Sequence, residues 1–477
     1  MSLIVNEFER ICKLNSNKVA FYYIDKNQLT HKSYKELYND VILMSSYLVS
    51  KGVKKEDKIL AFASSGYNLC VFILAAFKIG ASVMYVNIFA RQESLKRVFE
   101  KYRPEHILVS NTTKMVKIFF KEINQIKNII NIDDVKDFKF KKNNLEEIDE
   151  DIPGLITLTT GSTGNPKMFI RTHKDLYNQL QLVINNIQKE TENEVVLTTS
   201  YIYIFANILQ GFTTVLPNIN LGSNSNNKII KKLNRFKDLE ISMIITSPDF
   251  CLRTPNIYPK LKTLYFGGAI LNYNEANKIK SKYKNCNIIY IYGSTECNVI
   301  SKVGLDEYVK RLKEEGICII GKTCKGVEVK IDANNHILVK SEALLTKSLD
   351  EIKIDDGYYD TNDIGKLEDN NLIYLGKNRF YININNRNVY ANEIEQKVCT
   401  RFTQIEKCAV LEKNNRYYIF VEDYVVNKND VEKYIKKEYG IDIKVYTIKI
   451  IPRDIKHHTK INYIKLERIL ETKKDGY

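Results

Sequence analysis

The sequence has no tryptophan and only eight prolines and 20 glycines among its 477 residues. This composition excludes collagen-like and low-complexity proteins. The nine cysteines are scattered without a C-x-x-C pair, which argues against a disulfide framework or a zinc site and favours buried thiols in the cytoplasm. The most apolar stretch, residues 69–90, is interrupted by Lys78 and Gly80. A membrane helix needs about 18 uninterrupted apolar residues, so we expect no transmembrane segment.

The chain also lacks any concentrated basic segment, although its formal net charge is +15. Its lysines are spread along the whole length, with no arginine-rich arm and no zinc-finger spacing. A dispersed positive charge is typical of a solvated surface, whereas nucleic-acid binders cluster it on one face. We therefore expect no specific nucleic-acid partner. Nucleic-acid binding remains a distant alternative, which a steep loss of binding with salt would reveal.

What the sequence does contain is an alternation of helix and strand patterns. Helical spacing over residues 35–48 and 69–78 alternates with strand-like runs over 58–63 and 81–86. Further strands are predicted at 195–197, 243–245, 261–265 and 287–291. Such alternation predicts an α/β fold with a largely parallel sheet. Shorter segments and denser charge follow Gly376, so we expect an N-terminal α/β domain over 1–376 and a small α+β domain over 377–477.

The most informative motif is the run L-T-T-G-S-T-G-N-P-K from Leu158 to Lys167. Its two glycines allow the backbone to approach an anion closely. Its hydroxyl groups and successive N–H groups can bind phosphate oxygens, and its lysine adds a positive charge. A Walker P-loop cannot be aligned with it. By composition alone, an ordinary surface turn would remain the alternative.

Three later motifs follow in order. Residues 264–269 read L-Y-F-G-G-A, residues 290–296 read Y-I-Y-G-S-T-E, and residues 359–365 read Y-D-T-N-D-I-G. Together with the phosphate-loop run and the Leu375-Gly376-Lys377 segment, they resemble the ordered signatures of the adenylate-forming superfamily: acyl-CoA synthetases, peptide-synthetase adenylation domains and luciferases. Three positions depart from the family pattern: Met168 and Asn362 replace glycines, and Lys377 replaces an arginine.

The resemblance implies a large N-terminal domain, a mobile C-terminal lid, and ATP with Mg²⁺ as cofactors. Tyr292 would stack on adenine, Asp363 would accept hydrogen bonds from the ribose hydroxyls, and Glu296 would be a ligand of Mg²⁺. Lys167 and Lys460 would act in catalysis, and Tyr203 would contact the substrate carboxylic acid. The nucleotide-binding residues it implies are Thr160, Gly161, Ser162, Thr163, Gly164, Lys167, Gly268, Ala269, Tyr292, Gly293, Thr295, Asp363 and Lys377.

Some of these residues also have ordinary structural explanations. An aromatic strand packed in the core would explain the stretch around Tyr203 equally well. His173 follows the phosphate loop as in many relatives, and an ordinary structural role is favoured for it. The catalytic role of Lys460 rests on the resemblance, because a lone lysine near a terminus is normally only solvated.

The resemblance leaves the acyl acceptor open. A thiol of coenzyme A or of an acyl or peptidyl carrier protein is preferred. Residues 454–461 are similar to a subgroup containing β-lactone synthetases, in which an internal 3-hydroxyl displaces AMP. Asn383 and Asn386 stand where thioester-forming relatives have lysine and glycine. We therefore predict activation of a fatty or 3-hydroxy acid, with a β-lactone synthetase or a catalytically degenerate nucleotide-binding paralogue as alternatives. The sequence does not specify the acid.

Overall fold

The computed structural model describes most of the chain. The described residues are 2–63, 65–86, 92–115, 120, 122–123, 126, 128–158, 167–187, 189, 191–221, 224–350, 352, 354–378, 381–384, 386–422, 425–453 and 460–474. They divide into two compact units. The first comprises Met1–Asn218, Thr295–Asn298 and Glu342–Lys353, and the second comprises Ile219–Ser294, Val299–Ser341 and Ile354–Tyr477.

The first unit contains two sheets flanked by helices. One has the strand order β6-β5-β3-β4-β7-β8 and is parallel except for the antiparallel β7–β8 pair; the other is β9-β10-β1-β2. Its strands are β1 (Val19–Asp25), β2 (Gln28–Ser33), β3 (Lys58–Phe62), β4 (Ser82–Tyr85), β5 (His106–Val109), β6 (Asn128–Asn131), β7 (Pro153–Leu158), β8 (Met168–Thr172), β9 (Val195–Thr198) and β10 (Thr213–Leu216). Its helices are α1 (Leu3–Leu14), α2 (Tyr34–Ser50), α3 (Tyr67–Ile79), α4 (Gln92–Tyr102), α5 (His173–Asn186) and α6 (Tyr201–Leu209).

The second unit is built on a mixed sheet with the order β16-β17-β19-β20-β15-β14-β13-β12-β11. It also contains a separate β21–β22 hairpin and a separate three-stranded sheet, β23-β24-β25. Its strands are β11 (Met243–Thr246), β12 (Thr263–Gly267), β13 (Asn287–Tyr292), β14 (Ser301–Gly304), β15 (Cys318–Thr323), β16 (Glu328–Ile331), β17 (His336–Lys340), β18 (Ile354–Asp355), β19 (Tyr358–Glu368), β20 (Asn371–Lys377), β21 (Tyr381–Ile384), β22 (Arg387–Tyr390), β23 (Cys408–Lys413), β24 (Arg416–Glu422) and β25 (Ile443–Ile448). Its helices are α7 (Asn226–Leu233), α8 (Pro248–Arg253), α9 (Tyr273–Lys282), α10 (Leu305–Glu315), α11 (Ala391–Arg401), α12 (Lys428–Tyr439) and α13 (Tyr463–Lys474).

Local sequence accounts for several of these boundaries. A capping box between Ser33 and Glu36 begins α2, and one between Thr172 and Asp175 begins α5. In each, the hydroxyl group accepts from the N3 backbone amide while the N3 carboxylate accepts from the N-cap amide. The apolar helix α3 is buried almost all round, as expected for a core helix without a polar face.

The predicted α/β class is confirmed, and the predicted helices and strands match α2, α3, β3, β4, β9, β11, β12 and β13. The expected parallel pairing holds among β3 to β7 and among β11 to β13. From β13 to β20 the second-unit sheet is antiparallel, so the expectation of a largely parallel sheet is wrong there. The nine cysteines are free thiols, eight of them buried. No helix among the described residues is long and apolar enough to cross a membrane. The domain boundary at residue 377 stays a prediction.

Candidate active site

The phosphate-loop prediction falls mainly outside the described residues, which exclude Thr160, Gly161, Ser162, Thr163 and Gly164. The two strands that flank this segment, β7 and β8, pair antiparallel, and the half-buried Lys167 immediately precedes β8. The phosphate loop is therefore the connection between two adjacent, paired strands.

Met168 replaces the glycine of the family pattern without disturbing this strand. Its side chain is fully buried in the apolar core of the first unit. Its backbone amide donates to Asp350 Oδ2 at 2.8 Å, and its carbonyl accepts from Ser348 Oγ at 2.6 Å. Both the backbone amide and the carbonyl of Met168, the residue next to Lys167, are therefore held by hydrogen bonds, and its side chain fills the core.

The glycine pair after β12 has a steric explanation. A Cβ on Gly267 would lie 2.4 Å from the Ile291 carbonyl oxygen, so a side chain there would separate β12 from β13. Gly268 has φ +104° and faces open space, a conformation that side chains rarely adopt. The carbonyl of the next residue, Ala269, accepts from Tyr290 Oη at 3.1 Å. The pair therefore gives a close strand contact followed by an open turn.

Three of the predicted nucleotide-binding residues come together in the second unit. The Tyr292 hydroxyl at the end of β13 donates to Asp363 Oδ2 at 2.7 Å, and Lys377 Nζ at the end of β20 lies 2.5 Å from Asp363 Oδ1. Asp363 is only 6% exposed. Burial, followed by the Asp363 charge, raises the pKa of Tyr292 well above its usual value. The phenol therefore stays protonated and orients the carboxylate.

Asn362 keeps the turn that the family forms with glycine. Its φ is +56°, in the left-handed region that asparagine tolerates better than most residues. Its amide donates to Asp360 Oδ1 at 2.7 Å. Asparagine therefore adopts at this position a backbone conformation that favours glycine.

The Thr295–Glu296 segment, which follows Gly293, is held through its backbone in the first unit. The Thr295 carbonyl accepts from Arg171 Nη2 at 2.8 Å, and the Glu296 carbonyl accepts from the Leu345 amide at 2.9 Å. Gln179 Nε2 also donates to the Glu296 carbonyl, at 3.2 Å. Sequence reasoning missed Arg171 and Gln179. The available signal was a charged residue inside the otherwise apolar strand M-F-I-R-T.

The donor chemistry of this segment fits the predicted Mg²⁺ ligand. Glu296 provides a carboxylate and Thr295 a hydroxyl group, both hard oxygen donors. Among the described residues no cluster of three or more His, Cys, Asp or Glu side chains could hold a metal ion. Mg²⁺ is often held by one or two protein carboxylates together with substrate phosphates, so a single carboxylate suffices here.

Tyr203 lies half-buried in the first turn of α6. The alternative of an aromatic strand is wrong, because residues 201–209 form a helix. The helix begins beside Gly66, whose amide donates to Tyr201 Oη at 3.3 Å. The proposed contact of Tyr203 with the substrate stays a prediction.

Lys460 lies next to an antiparallel bridge near the C-terminus. Arg453 and Ile461 form an antiparallel bridge, and the Asn462 amide donates to the Pro452 carbonyl at 2.8 Å. Arg453 Nη2 also contacts both Glu422 carboxylate oxygens at 3.0 Å. Lys460 is exposed and directly precedes the bridged Ile461, which fixes the backbone next to it.

His173 has the structural role that the sequence favours. It is 1% exposed, its Nδ1 lies 3.0 Å from Ser2 Oγ, and its ring packs edge-on against Phe77. Burial lowers the pKa of His173 from 6.5 to about 4. The folded protein therefore holds a neutral imidazole.

This burial predicts a specific loss of stability in acid. The unfolded chain binds the proton near pH 6.5 and the folded state only near about 4. The contribution of neutral His173 to the free energy of unfolding is therefore complete above pH 6.5. It is lost as the pH falls toward 4, at up to about 1.4 kcal/mol per pH unit. Urea unfolding of His173→Gln across this range should show a flatter pH dependence than the wild type. The exposed His31→Gln is the control, and a wild-type slope in His173→Gln would contradict the prediction.

Comparison with known proteins agrees with this geometry. The AMP-binding enzyme family model matches residues 8–342. A D-alanine–D-alanyl carrier protein ligase of Bacillus cereus is 22% identical over 500 residues, covering 96% of this chain and 96% of that protein.

Solved structures share the fold. O-succinylbenzoate coenzyme A synthetase from Bacillus subtilis, in complex with ATP and magnesium ion, aligns with a TM-score of 0.79 at 18% identity, covering 96% of this chain and 99% of that one. Mycobacterium tuberculosis fatty acyl CoA synthetase aligns with a TM-score of 0.74 at 14% identity, covering 98% of each chain. The chain is an enzyme that belongs to the AMP-binding enzyme family, and the resemblance to adenylate-forming enzymes is confirmed.

Proposed function

We propose that this enzyme uses ATP to activate a carboxylic acid as its acyl-adenylate and then transfers the acyl group to a thiol. The observation that carries the proposal is the Asp363 carboxylate in β19, which accepts from Tyr292 at the end of β13 and pairs with Lys377 at the end of β20. A buried carboxylate is a strong acceptor for paired hydroxyl groups, such as those of ribose. Similarity to a carrier protein ligase and to coenzyme A synthetases supports the thiol as acceptor.

In the first step a carboxylate oxygen attacks the α-phosphorus of ATP. The bond from that phosphorus to the bridging oxygen breaks, and pyrophosphate leaves. Lys167 and the hydroxyl of Thr295 bind phosphate oxygens, and Asp363 fixes the ribose. Glu296 would hold Mg²⁺, which would neutralise phosphate charge when bound. Lys460 stabilises the negative charge that develops as the new bond forms.

In the second step a thiolate attacks the acyl carbon and AMP leaves. The thiol belongs to coenzyme A or to a carrier protein. Asn386 has φ +62°, in the left-handed region that favours glycine, and its side chain adds bulk at this position. Asn383 Nδ2 donates to Asn388 Oδ1 at 3.1 Å across the β21–β22 hairpin. The hairpin is therefore intact, and the added side chain is expected to slow capture by free coenzyme A.

The acyl group is proposed to be uncharged. Helix α6, which carries Tyr203, has the sequence Y-I-Y-I-F-A-N-I-L and contains no charged residue. An ammonium or second carboxylate buried against it would find no charged partner on this helix, and burying an unpaired charge is costly. A fatty or 3-hydroxy acid fits this helix better than an amino acid does. For the 3-hydroxy acid, the residue 454–461 segment supports a second candidate product, a β-lactone formed by the substrate's own hydroxyl.

The test is product analysis with a fatty acid and its 3-hydroxy analogue, each with and without coenzyme A. We expect acid-dependent ATP–pyrophosphate exchange with both acids and slow acyl-CoA formation. An amino acid such as D-alanine is the matched comparison and should support little exchange. Absence of exchange with every carboxylic acid would refute the activation step. Rapid acyl-CoA formation from both fatty acids, without lactone, would show that the two asparagines do not affect the acceptor.

A further inference from the structure

A buried arginine lies beside the Thr295–Glu296 segment. Arg171 is 5% exposed and uses all three sides of its guanidinium group. Its Nε donates to Gln179 Oε1 at 2.8 Å, its Nη1 to Thr157 Oγ1, and its Nη2 to the Thr295 carbonyl at 2.8 Å. These three contacts fix both the position and the plane of the group.

Gln179 extends these contacts into a network. It is fully buried, and its Nε2 donates to the carbonyls of Glu296 at 3.2 Å and Ala343 at 3.1 Å. We call the group Thr157, Arg171, Gln179, Thr295 and Glu296 the Arg171 network. A fully hydrogen-bonded buried network is rigid, because each bond limits the motion of the others.

The network connects two parts of the predicted phosphate site. Thr157 lies in β7 and Arg171 in β8, the strands on either side of residues 159–166. Thr295 and Glu296 are the predicted phosphate and metal ligands. The guanidinium group therefore joins strands β7 and β8 to the backbone of the segment that carries those ligands.

Packing alone does not explain a cation at this position. An arginine side chain keeps its charge in proteins, and that of Arg171 is buried. Its described hydrogen-bond acceptors are uncharged oxygens. Burying a charge is costly, and an apolar residue would fill a core strand without that cost. A positive charge held beside a metal-binding carboxylate indicates a functional role.

We propose that Arg171 is a positioning residue of the adenylation step, which fixes Thr295 and Glu296 relative to the phosphate loop so that the Mg²⁺-bound triphosphate is held for attack. The inference rests on the proposed function. Arg171 acts through the Thr295–Glu296 backbone and not by contact with the reacting atoms. Residues that orient metal ligands in this way commonly contribute about 10–100-fold to metal affinity or activity.

The test variant is Arg171→Met, which keeps the length of the side chain and removes its charge and hydrogen bonds. We expect kcat for ATP–pyrophosphate exchange to fall about 10–100-fold and the half-saturating Mg²⁺ concentration to rise about tenfold. The KM for the acid should not change. Calorimetry should show that Mg²⁺ no longer strengthens ATP binding, whereas AMP binding, which depends on Asp363, is retained. Arg171→Lys should recover only part of the loss, because lysine lacks the planar fork.

Two further variants guard against misfolding. Thr157→Val removes one acceptor with little change in volume, and it should shift the Mg²⁺ dependence in the same direction by about 3–10-fold. Arg311→Met is the control, because Arg311 pairs with Glu315 and Glu368 away from this network. It should keep the wild-type Mg²⁺ dependence.

The proposal is overturned if folded Arg171→Met or Thr157→Val keeps the wild-type kcat and Mg²⁺ dependence while only its thermal stability falls. That result would make the network purely structural. Failure of the proposed function would look different, since the wild type itself would then show no acid-dependent exchange. Even then, calorimetry would still test the role of Arg171. Loss of Mg²⁺-dependent ATP binding in the variants would support that role, and its retention would contradict it.

Discussion

Replacing Lys460 with alanine is expected to lower acid-dependent ATP–pyrophosphate exchange by about 10²–10³-fold, the effect typical of removing one preorganised group that stabilises transition-state charge. AMP affinity should change little, because the ground-state nucleotide is held by other residues. The Arg453–Ile461 bridge fixes the backbone beside Lys460. The loss of exchange would therefore come from the missing ammonium group and not from a displaced backbone.

The control for this experiment is Lys465→Ala, which removes an exposed lysine from α13 five residues away. It should retain wild-type exchange. Lys460→Arg should recover little, because a bulkier group replaces a compact point charge. Wild-type exchange in Lys460→Ala would exclude this lysine from the adenylation step.

Asp363→Ala is expected to weaken AMP and ATP binding by about 10²-fold. The carboxylate is the acceptor proposed for the ribose hydroxyls, and hydrogen bonds to a charged group contribute about 1.5–3 kcal/mol each. The change also leaves Lys377 and the Tyr292 hydroxyl without their present partner. Calorimetric titration with AMP measures the affinity, and thermal unfolding checks that the fold persists.

Two variants separate the ribose contact from the surrounding pair interactions. Tyr292→Phe removes only the hydroxyl that orients Asp363 and should weaken AMP binding by less than about tenfold. Glu368→Gln alters a carboxylate of the same strand that pairs with Arg311 and Lys366, and its AMP affinity should match the wild type. Unchanged AMP affinity in Asp363→Ala would refute the assigned role of the carboxylate.

Several features followed from the sequence because they depend on neighbours along the chain. The capping box at Ser33 and Glu36 is readable from spacing alone. The turn at Asn362 is equally local, because the left-handed angle belongs to one residue. The ordered motifs assigned Tyr292, Asp363 and Lys377 to one nucleotide-binding site, and these three side chains lie together in the structure.

Other features depend on contacts between distant segments. The helix containing Tyr203 was also compatible with an aromatic strand, because a short apolar run has no decisive periodicity. The burial of Met168 depends on Ser348 and Asp350, about 180 residues away along the chain. No local pattern predicts such a contact.

The sequence by itself determined the family and the order of the nucleotide-binding motifs, since these are encoded in short segments of fixed composition. Only the tertiary structure decided that Arg171 and Gln179 support Thr295 and Glu296. Arg171 and Gln179 are each more than a hundred residues away along the chain from the carbonyl groups to which they donate. These hydrogen bonds depend on how β7, β8 and α5 pack together. An arginine in an apolar strand is conspicuous in the sequence, but its acceptors exist as a group only after folding.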